Sequence, residues 1–378
     1  MSRVRAADIQ GVTFVELFFD LVFVYAITQL TRSVLHDLTW TGVGRWALVF
    51  WLIWWAWTQF TWTLNLADTE IPQIRFLALA GTAAAFFLAQ AVPDAYGDGG
   101  VWFAVSYVVV RGLGIGGQVW VIGDDVTQVK GLTRYASASL IGIAMVLVGA
   151  FAPEDARAWF WLGAILADLA TVAVAGRQTW VLQAGHFAER HGLIVIVALG
   201  ESLIAAGGAT ADLERDLTFT VITTGAVLAT GALWWMYFGT LHSRLESGLA
   251  AQGNQEIAQF ARDVFSLWHA VVVAGVIGVA VGFEEAVAHP EESLSLGAST
   301  ALAVGAAMFA GGLGMAGRRA RIEGVALPRF GFTVVALASI PVISRVDPGV
   351  ALWGLAAVAT TASLFELAFT RTTEPAHP

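Results

Sequence analysis

The chain has 378 residues, 57% of them hydrophobic and only 13% charged, with no cysteine and a formal net charge of −9. An ordinary soluble domain carries roughly 25% charged residues, so polar surface is too scarce here to cover a 40.1 kDa globule in water. A soluble enzyme, a disordered chain and a nucleic-acid binder are excluded, as are disulfides, thiolate metal sites and thiol nucleophiles.

Apolar blocks predict helical spans at 12–35, 42–65, 74–92, 101–123, 134–152, 158–176, 187–208, 217–239, 263–283, 294–316, 328–344 and 349–369. Their length of about 18–25 residues is what a bilayer-crossing helix needs. Turn and charge signals separate them: Pro72, Pro93-Asp94, the run Gly97-Asp98-Gly99-Gly100, Pro153-Glu154-Asp155, His289-Pro290, Pro328 and Asp347-Pro348. The blocks do not alternate in polarity as barrel strands do. Glu16 and Asp20 interrupt the first block, which therefore reads as a retained helix rather than a cleaved leader. The expectation is an all-α integral membrane protein with twelve transmembrane helices.

Charge sets the expected topology. Arg3, Arg5, Arg75, Lys130, Arg134, Arg177, Arg190, Arg244, Arg262, Arg318, Arg319, Arg321, Arg329 and Arg371 fall on one side, fourteen against Arg157, Arg215 and Arg345 on the other. Such a bias places the basic side, with both termini, in the cytoplasm. The opposite loops are acidic, with Asp94, Asp98, Glu154, Asp155, Asp212, Glu214, Asp216, Glu284, Glu285, Glu291 and Glu292.

The halves echo one another. Phe14-Val15-Glu16 opens span 1 as Phe187-Ala188-Glu189 opens span 7, and Trp54-Trp55-Ala56-Trp57 in span 2 matches Trp234-Trp235-Met236-Tyr237 in span 8. Arg75 and Arg262 precede spans 3 and 9, Leu132-Thr133-Arg134-Tyr135 and Leu327-Pro328-Arg329-Phe330 open spans 5 and 11, and Asp168 and Glu366 lie late in spans 6 and 12. Six spans per half preserve orientation, so two parallel six-helix repeats, 1–183 and 184–378, are expected, with a site where they meet.

Ionisable groups inside a membrane cost at least about 2.5–3.5 kcal/mol each on insertion scales and need a reason. Glu16 and Asp20, four apart, share a helix face, where two carboxylates hold a cation or a proton, or anchor neighbouring helices. Glu201 lies about 18 Å beyond Glu189 along its helix, between Gly200 and Ser202, deep in the span. Arg111 is a basic residue deep in a span, for which Asp168, Glu201 or Asp20 is a partner; Asp168 and Glu366 read as matching charge partners of the two halves. His186, Glu189 and His191 form a set that a divalent metal could use, with the headgroup region as their alternative surroundings; no other cofactor is indicated. His269 reads as a hydrogen-bonded bundle histidine, with a proton relay as the alternative. The Trp-rich second span (Trp40, Trp46, Trp51, Trp54, Trp55, Trp57, Trp62) reads as lipid-facing, with a ligand-stacking wall as the minority option. No nucleotide-binding or nucleophile motif occurs.

The stretch from Val15 to Leu30, VELFFDLVFVYAITQL, and the stretch from Glu189 to Ser202, ERHGLIVIVALGES, resemble the two signatures of the low temperature requirement A (LtrA) family of bacterial membrane proteins. The resemblance covers essentially the whole chain and implies a multi-pass protein of the bacterial cell membrane, of a family whose activity is unsettled. Phe19 to Thr28, FDLVFVYAIT, is also similar to the first-helix motif of the endolysosomal potassium channels built from two six-helix repeats. That likeness implies a path lined by spans 1 and 7, narrow near Ile27 and Leu30; Gly192, where the motif has Asp, and the added Glu201 depart from it.

The resulting expectation is a channel or transporter for a small ion or solute between helices 1 and 7, with Glu16, Asp20, Ile27, Glu201 and Ser202 along the path. The alternatives are an integral-membrane enzyme acting on lipid through His186, Glu189, His191 and Glu201, and a non-catalytic, stress-related sensor or scaffold. The expected partners are the lipid bilayer and the transported species, not nucleic acid; association into a homo-oligomer is compatible with each reading.

Overall fold

The computed structural model describes residues 11–123, 125–175, 181–208, 215–253 and 256–373. Arg3, Arg5, Arg177, Asp212 and Glu214, counted in the charge bias, lie outside these residues, as does the side chain of Arg371. The regular structure is helical: α1 (Phe14–His36), α2 (Trp40–Leu66), α3 (Pro72–Gln90), α4 (Gly100–Ile122), α5 (Val126–Ala150), α6 (Glu154–Ala175) and α7 (Ala184–Gly208). There follow α8 (Leu217–Ala250) and α9 (Ile257–Ala288), then α10 (Leu296–Arg319), α11 (Ala326–Ala338), α12 (Ile340–Ile343) and α13 (Pro348–Thr373).

Local chemistry accounts for the boundaries. Thr39 caps α2 by accepting the Gly42 N–H (3.1 Å), Asp216 caps α8 through Phe219 (2.8 Å) and Ser295 caps α10 through Ala298 (3.2 Å). Each satisfies a backbone donor that has no partner within its helix. Pro72 begins α3, where its missing N–H costs nothing. Pro341 follows the break between α11 and α12 closely.

Among the described residues nine helices are long and apolar enough to cross a membrane: α1, α3, α4, α5, α7, α8, α9, α10 and α13. The other expected spans differ for identifiable reasons. With 27 residues α2 has ample length, but indole, hydroxyl and amide groups lower its hydropathy. In α6 the charges Glu154, Asp155 and Arg157 stand in the first turn and Asp168 is the one charge beyond them, while α11 and α12 are short pieces of 13 and 4 residues. Large apolar side chains lie on the outside, among them Phe151 and Trp159, each 73% exposed. An outer surface of this kind fits a lipid surround.

The chain divides into two compact units, Met1–Arg190 with Ala250–Arg262, and His191–Leu249 with Asp263–Pro378. The division falls inside α7, between Arg190 and His191, rather than at the 183/184 boundary expected from the repeats. In the first unit Phe19, Phe60 and Phe103 are completely buried, and the Phe19 and Phe60 rings meet at 4.7 Å. Trp54, Trp55 and Trp57 are buried there too, which corrects the lipid-facing reading of the middle of α2. In the second unit α9 and α10 pack through glycine: a Cβ on Gly305 would stand 2.6 Å from the Gly275 carbonyl oxygen. Small residues let two backbones approach this closely inside a membrane bundle.

Helices α8 and α9 contain π-turns, Trp235–Gly239 in α8 and Arg262–Trp268 in α9. A π-turn inserts a residue into the helix and withdraws backbone groups from the regular ladder.

Candidate functional site

The first unit buries a polar cluster at the start of α1. Glu16 is completely buried, and its Oε2 accepts the backbone N–H (3.0 Å) and hydroxyl (2.9 Å) of Thr13. One turn deeper lies Asp20, 2% exposed. Opposite them α7 presents His186 and Arg190, also four residues apart, so two i, i+4 pairs face one another. His186 Nε2 stands 3.1 Å from Glu16 Oε1, and Arg190 Nη1 lies 3.5 Å from the same oxygen. Arg190 Nη2 donates to Asp20 Oδ1. The Trp57 indole N–H of α2 donates to that oxygen as well, at 2.8 Å. Among the described residues Asp20 Oδ2 has no hydrogen-bond partner.

Asn65, at the end of α2, assigns the imidazole its tautomer. Its Oδ1 accepts the Gln183 backbone N–H at 2.9 Å, which orients the amide. Its Nδ2 then faces His186 Nδ1 at 3.1 Å and donates to the Gln183 carbonyl at 2.9 Å. An amide nitrogen can only donate, so Nδ1 accepts, and the hydrogen of His186 sits on Nε2, toward Glu16. His186 is therefore neutral in this arrangement. Two carboxylates and one guanidinium remain, so among the described residues the cluster is one positive charge short of balance.

The other expected site residues take separate places. Asp168 pairs with Arg111 at 3.1 Å, with the guanidinium 5.8 Å from the centre of the Tyr107 ring. This realises one of the pairings open to Arg111. Glu366 holds an arginine too, but it is Arg329: Nε to Oε2 at 2.9 Å and Nη2 to Oε1 at 3.0 Å, with the Thr240 hydroxyl donating to Oε1 at 2.6 Å. Arg190 and Arg329, counted among the cytoplasmic loop cations, are completely buried. Glu201 is 3% exposed and Ile27 5%, and the Ser202 hydroxyl donates to the Leu199 carbonyl of its own helix at 2.7 Å.

His186, Glu189 and His191 have distinct surroundings. His186 is engaged as above, Glu189 is exposed and accepts the Val12 N–H at 3.2 Å, and the His191 ring meets Phe265 and His269 edge-on. Among the described residues no group of three or more His, Asp or Glu side chains is placed to hold a metal ion.

Arg190, Trp57 and Asn65 are the members of the cluster that sequence reasoning missed. A usable signal was present: His186 and Arg190 repeat the spacing of Glu16 and Asp20 with opposite chemistry.

Comparison with known proteins places the chain. The family model for the bacterial low temperature requirement A protein (LtrA) matches residues 11–364. A curated relative, the uncharacterized protein RA0937 of Rhizobium meliloti (strain 1021), is 29% identical over 304 residues, covering 76% of this chain and 72% of its own length. No solved structure matches. The chain belongs to the LtrA family, and it is a polytopic membrane protein.

Proposed function

From that membership, we propose that this LtrA protein moves a small ion or solute across the bacterial cell membrane, linked to a proton or monovalent cation taken up by the Glu16–Asp20–His186–Arg190 cluster. The observation that carries the reading is the charge count: two buried carboxylates, one guanidinium and an imidazole whose hydrogen bonds make it neutral. An uncompensated charge is costly in a low-dielectric interior, so the cluster binds one positive charge, and the unpartnered Asp20 Oδ2 is the atom open to it. Loading and release of that charge is the step through which flux would follow pH or cation concentration.

The proposal includes twelve spans, with both termini in the cytoplasm, a reading that the excess of basic residues on one side supports. It includes two parallel six-helix repeats and a path along α1 and α7. Glu201, buried in the deeper part of α7, belongs to that path.

The test is flux from proteoliposomes of the full chain at several pH values and with several monovalent cations. Asp20→Asn preserves shape and removes the excess charge; the expected result is flux that no longer responds to pH or cation. Glu291→Gln, at an exposed loop position, serves as control. Folded Asp20→Asn protein with the wild-type response would overturn the assignment.

A further inference from the structure

The second unit holds a buried arrangement that the carboxylate cluster does not explain. His269 is completely buried directly after the π-turn of α9. Its Nδ1 lies 2.9 Å from the Val264 carbonyl oxygen, inside that π-turn. A carbonyl can only accept, so Nδ1 carries the hydrogen and Nε2 is an acceptor. Tyr237, completely buried within the π-turn of α8, supplies the donor: its hydroxyl lies 2.8 Å from Nε2. Both π-turns thus meet at one imidazole.

Two further histidines adjoin this pair. The His191 ring stands 5.5 Å from that of His269, and the His242 ring 5.5 Å from that of Tyr237. His242 is only part-buried. It reaches α7 closely because residue 192 is glycine; a Cβ there would lie 2.7 Å from His242 Nε2. The order His242, Tyr237, His269 therefore runs from the margin of the unit to its core. Of the charged groups on the helices packed around α9, Arg319 of α10 is paired with Asp263, and Glu366 of α13 with Arg329 of α11. The titratable groups facing His269 are His191, Tyr237 and His242.

We propose that His269 is a proton-accepting site of the second unit, loaded through the Tyr237 hydroxyl from His242. In the transfer the Tyr237 O–H bond breaks and an Nε2–H bond forms on His269. The phenol oxygen takes a proton from the imidazolium form of His242, whose N–H bond breaks and which is left neutral. Tyr237 ends neutral, His242 has lost one proton, and His269 is an imidazolium donating from both nitrogens. The π-turns make this geometry available: one supplies the Val264 carbonyl that holds Nδ1–H, and the other aims the phenol at Nε2. The site does not depend on the transport reading, since its residues and bonds lie entirely within the second unit.

The test uses the full chain with ¹⁵N-labelled histidine in phosphatidylethanolamine–phosphatidylglycerol nanodiscs, titrated by NMR. The His269 signals are assigned by their loss in His269→Gln or, should that variant not fold, by segmental labelling of the second half. The expected result is a neutral imidazole protonated on Nδ1 under alkaline conditions that becomes doubly protonated on acidification while the protein stays folded. Tyr237→Phe removes the hydroxyl, and the midpoint should move by about one pH unit or more, a tenfold change in proton affinity. A His269 that keeps one neutral tautomer throughout, or a midpoint unmoved by Tyr237→Phe, overturns the proposal. Failure of the carboxylate-cluster reading would show in Asp20→Asn flux and leave this titration unchanged.

Discussion

The two units solve the problem of burying charge differently. In the second, Arg329 and Glu366 match one to one: both Glu366 oxygens accept from the guanidinium, and Thr240 and the Met236 carbonyl (2.6 Å) take up further hydrogen bonds. In the first, Arg190 is shared between Glu16 and Asp20, with a neutral imidazole beside them. A balanced, bidentate pair has one protonation state and acts as an anchor. A shared guanidinium leaves one carboxylate oxygen unanswered, so the occupancy of that place can change. The Arg111–Asp168 pair of the first unit is matched one to one in charge, although Asp168 Oδ2, like Asp20 Oδ2, has no hydrogen-bond partner among the described residues.

The comparison can be broken most severely at the anchor. Arg329→Met strands Glu366 in an apolar interior; losing one partner of a buried pair costs about 3–5 kcal/mol. The expected outcome is a collapse in folded yield and thermal midpoint. The double variant Arg329→Met, Glu366→Leu should recover most of that loss. If the single variant melts like wild type, Arg329 and Glu366 are not an anchor.

At the shared cluster the same measurement should give a smaller change. Trp57→Phe removes one hydrogen bond to a charged group, worth about 1.5–3 kcal/mol, and exposes a second lone pair on Asp20. Thermal stability should fall by that amount, and the pH response of flux should shift with it. A fall in stability with an unmoved response would limit Trp57 to packing.

Asn65→Leu sharpens the charge argument. It frees His186 Nδ1, allowing the imidazole to carry the missing proton itself. The expected result is a loss of about 1 kcal/mol for each missing hydrogen bond and a pH response set by histidine rather than by the carboxylates. An unaltered response would mean that Asn65 does not hold the tautomer. The smallest effect belongs to Ser202→Ala. Its hydroxyl satisfies only a carbonyl of its own helix, so stability should stay within about 0.5 kcal/mol of wild type; a larger loss would show that Ser202 serves something other than α7.

Much was legible without coordinates, because hydropathy and turn chemistry are local. The membrane class follows from apolar runs of spanning length, and helix ends follow from Thr39, Pro72, Asp216 and Ser295, whose side chains or rings act within one turn. The facing of Glu16 and Asp20 along one helix side follows from 3.6 residues per turn. Pairing was not legible, because a guanidinium can reach a carboxylate from any neighbouring helix. Arg190 and Arg329 looked like loop cations from their position beside apolar blocks, yet each is buried against an acid 170 or 37 residues away. The role of Trp57 depended in the same way on which face of α2 turns inward, which the near-uniform tryptophan pattern leaves open. The π-turns were equally hidden: the disturbed ladder is met at Met236 by the guanidinium of Arg329, 93 residues away, and at Val264 by the imidazole of His269 in the same helix, and helix propensity alone encodes neither. The sequence by itself determined the class, the helices and the list of charges that need partners; the tertiary structure alone decided which charges meet, because that depends on helix packing across the bundle rather than on spacing along the chain.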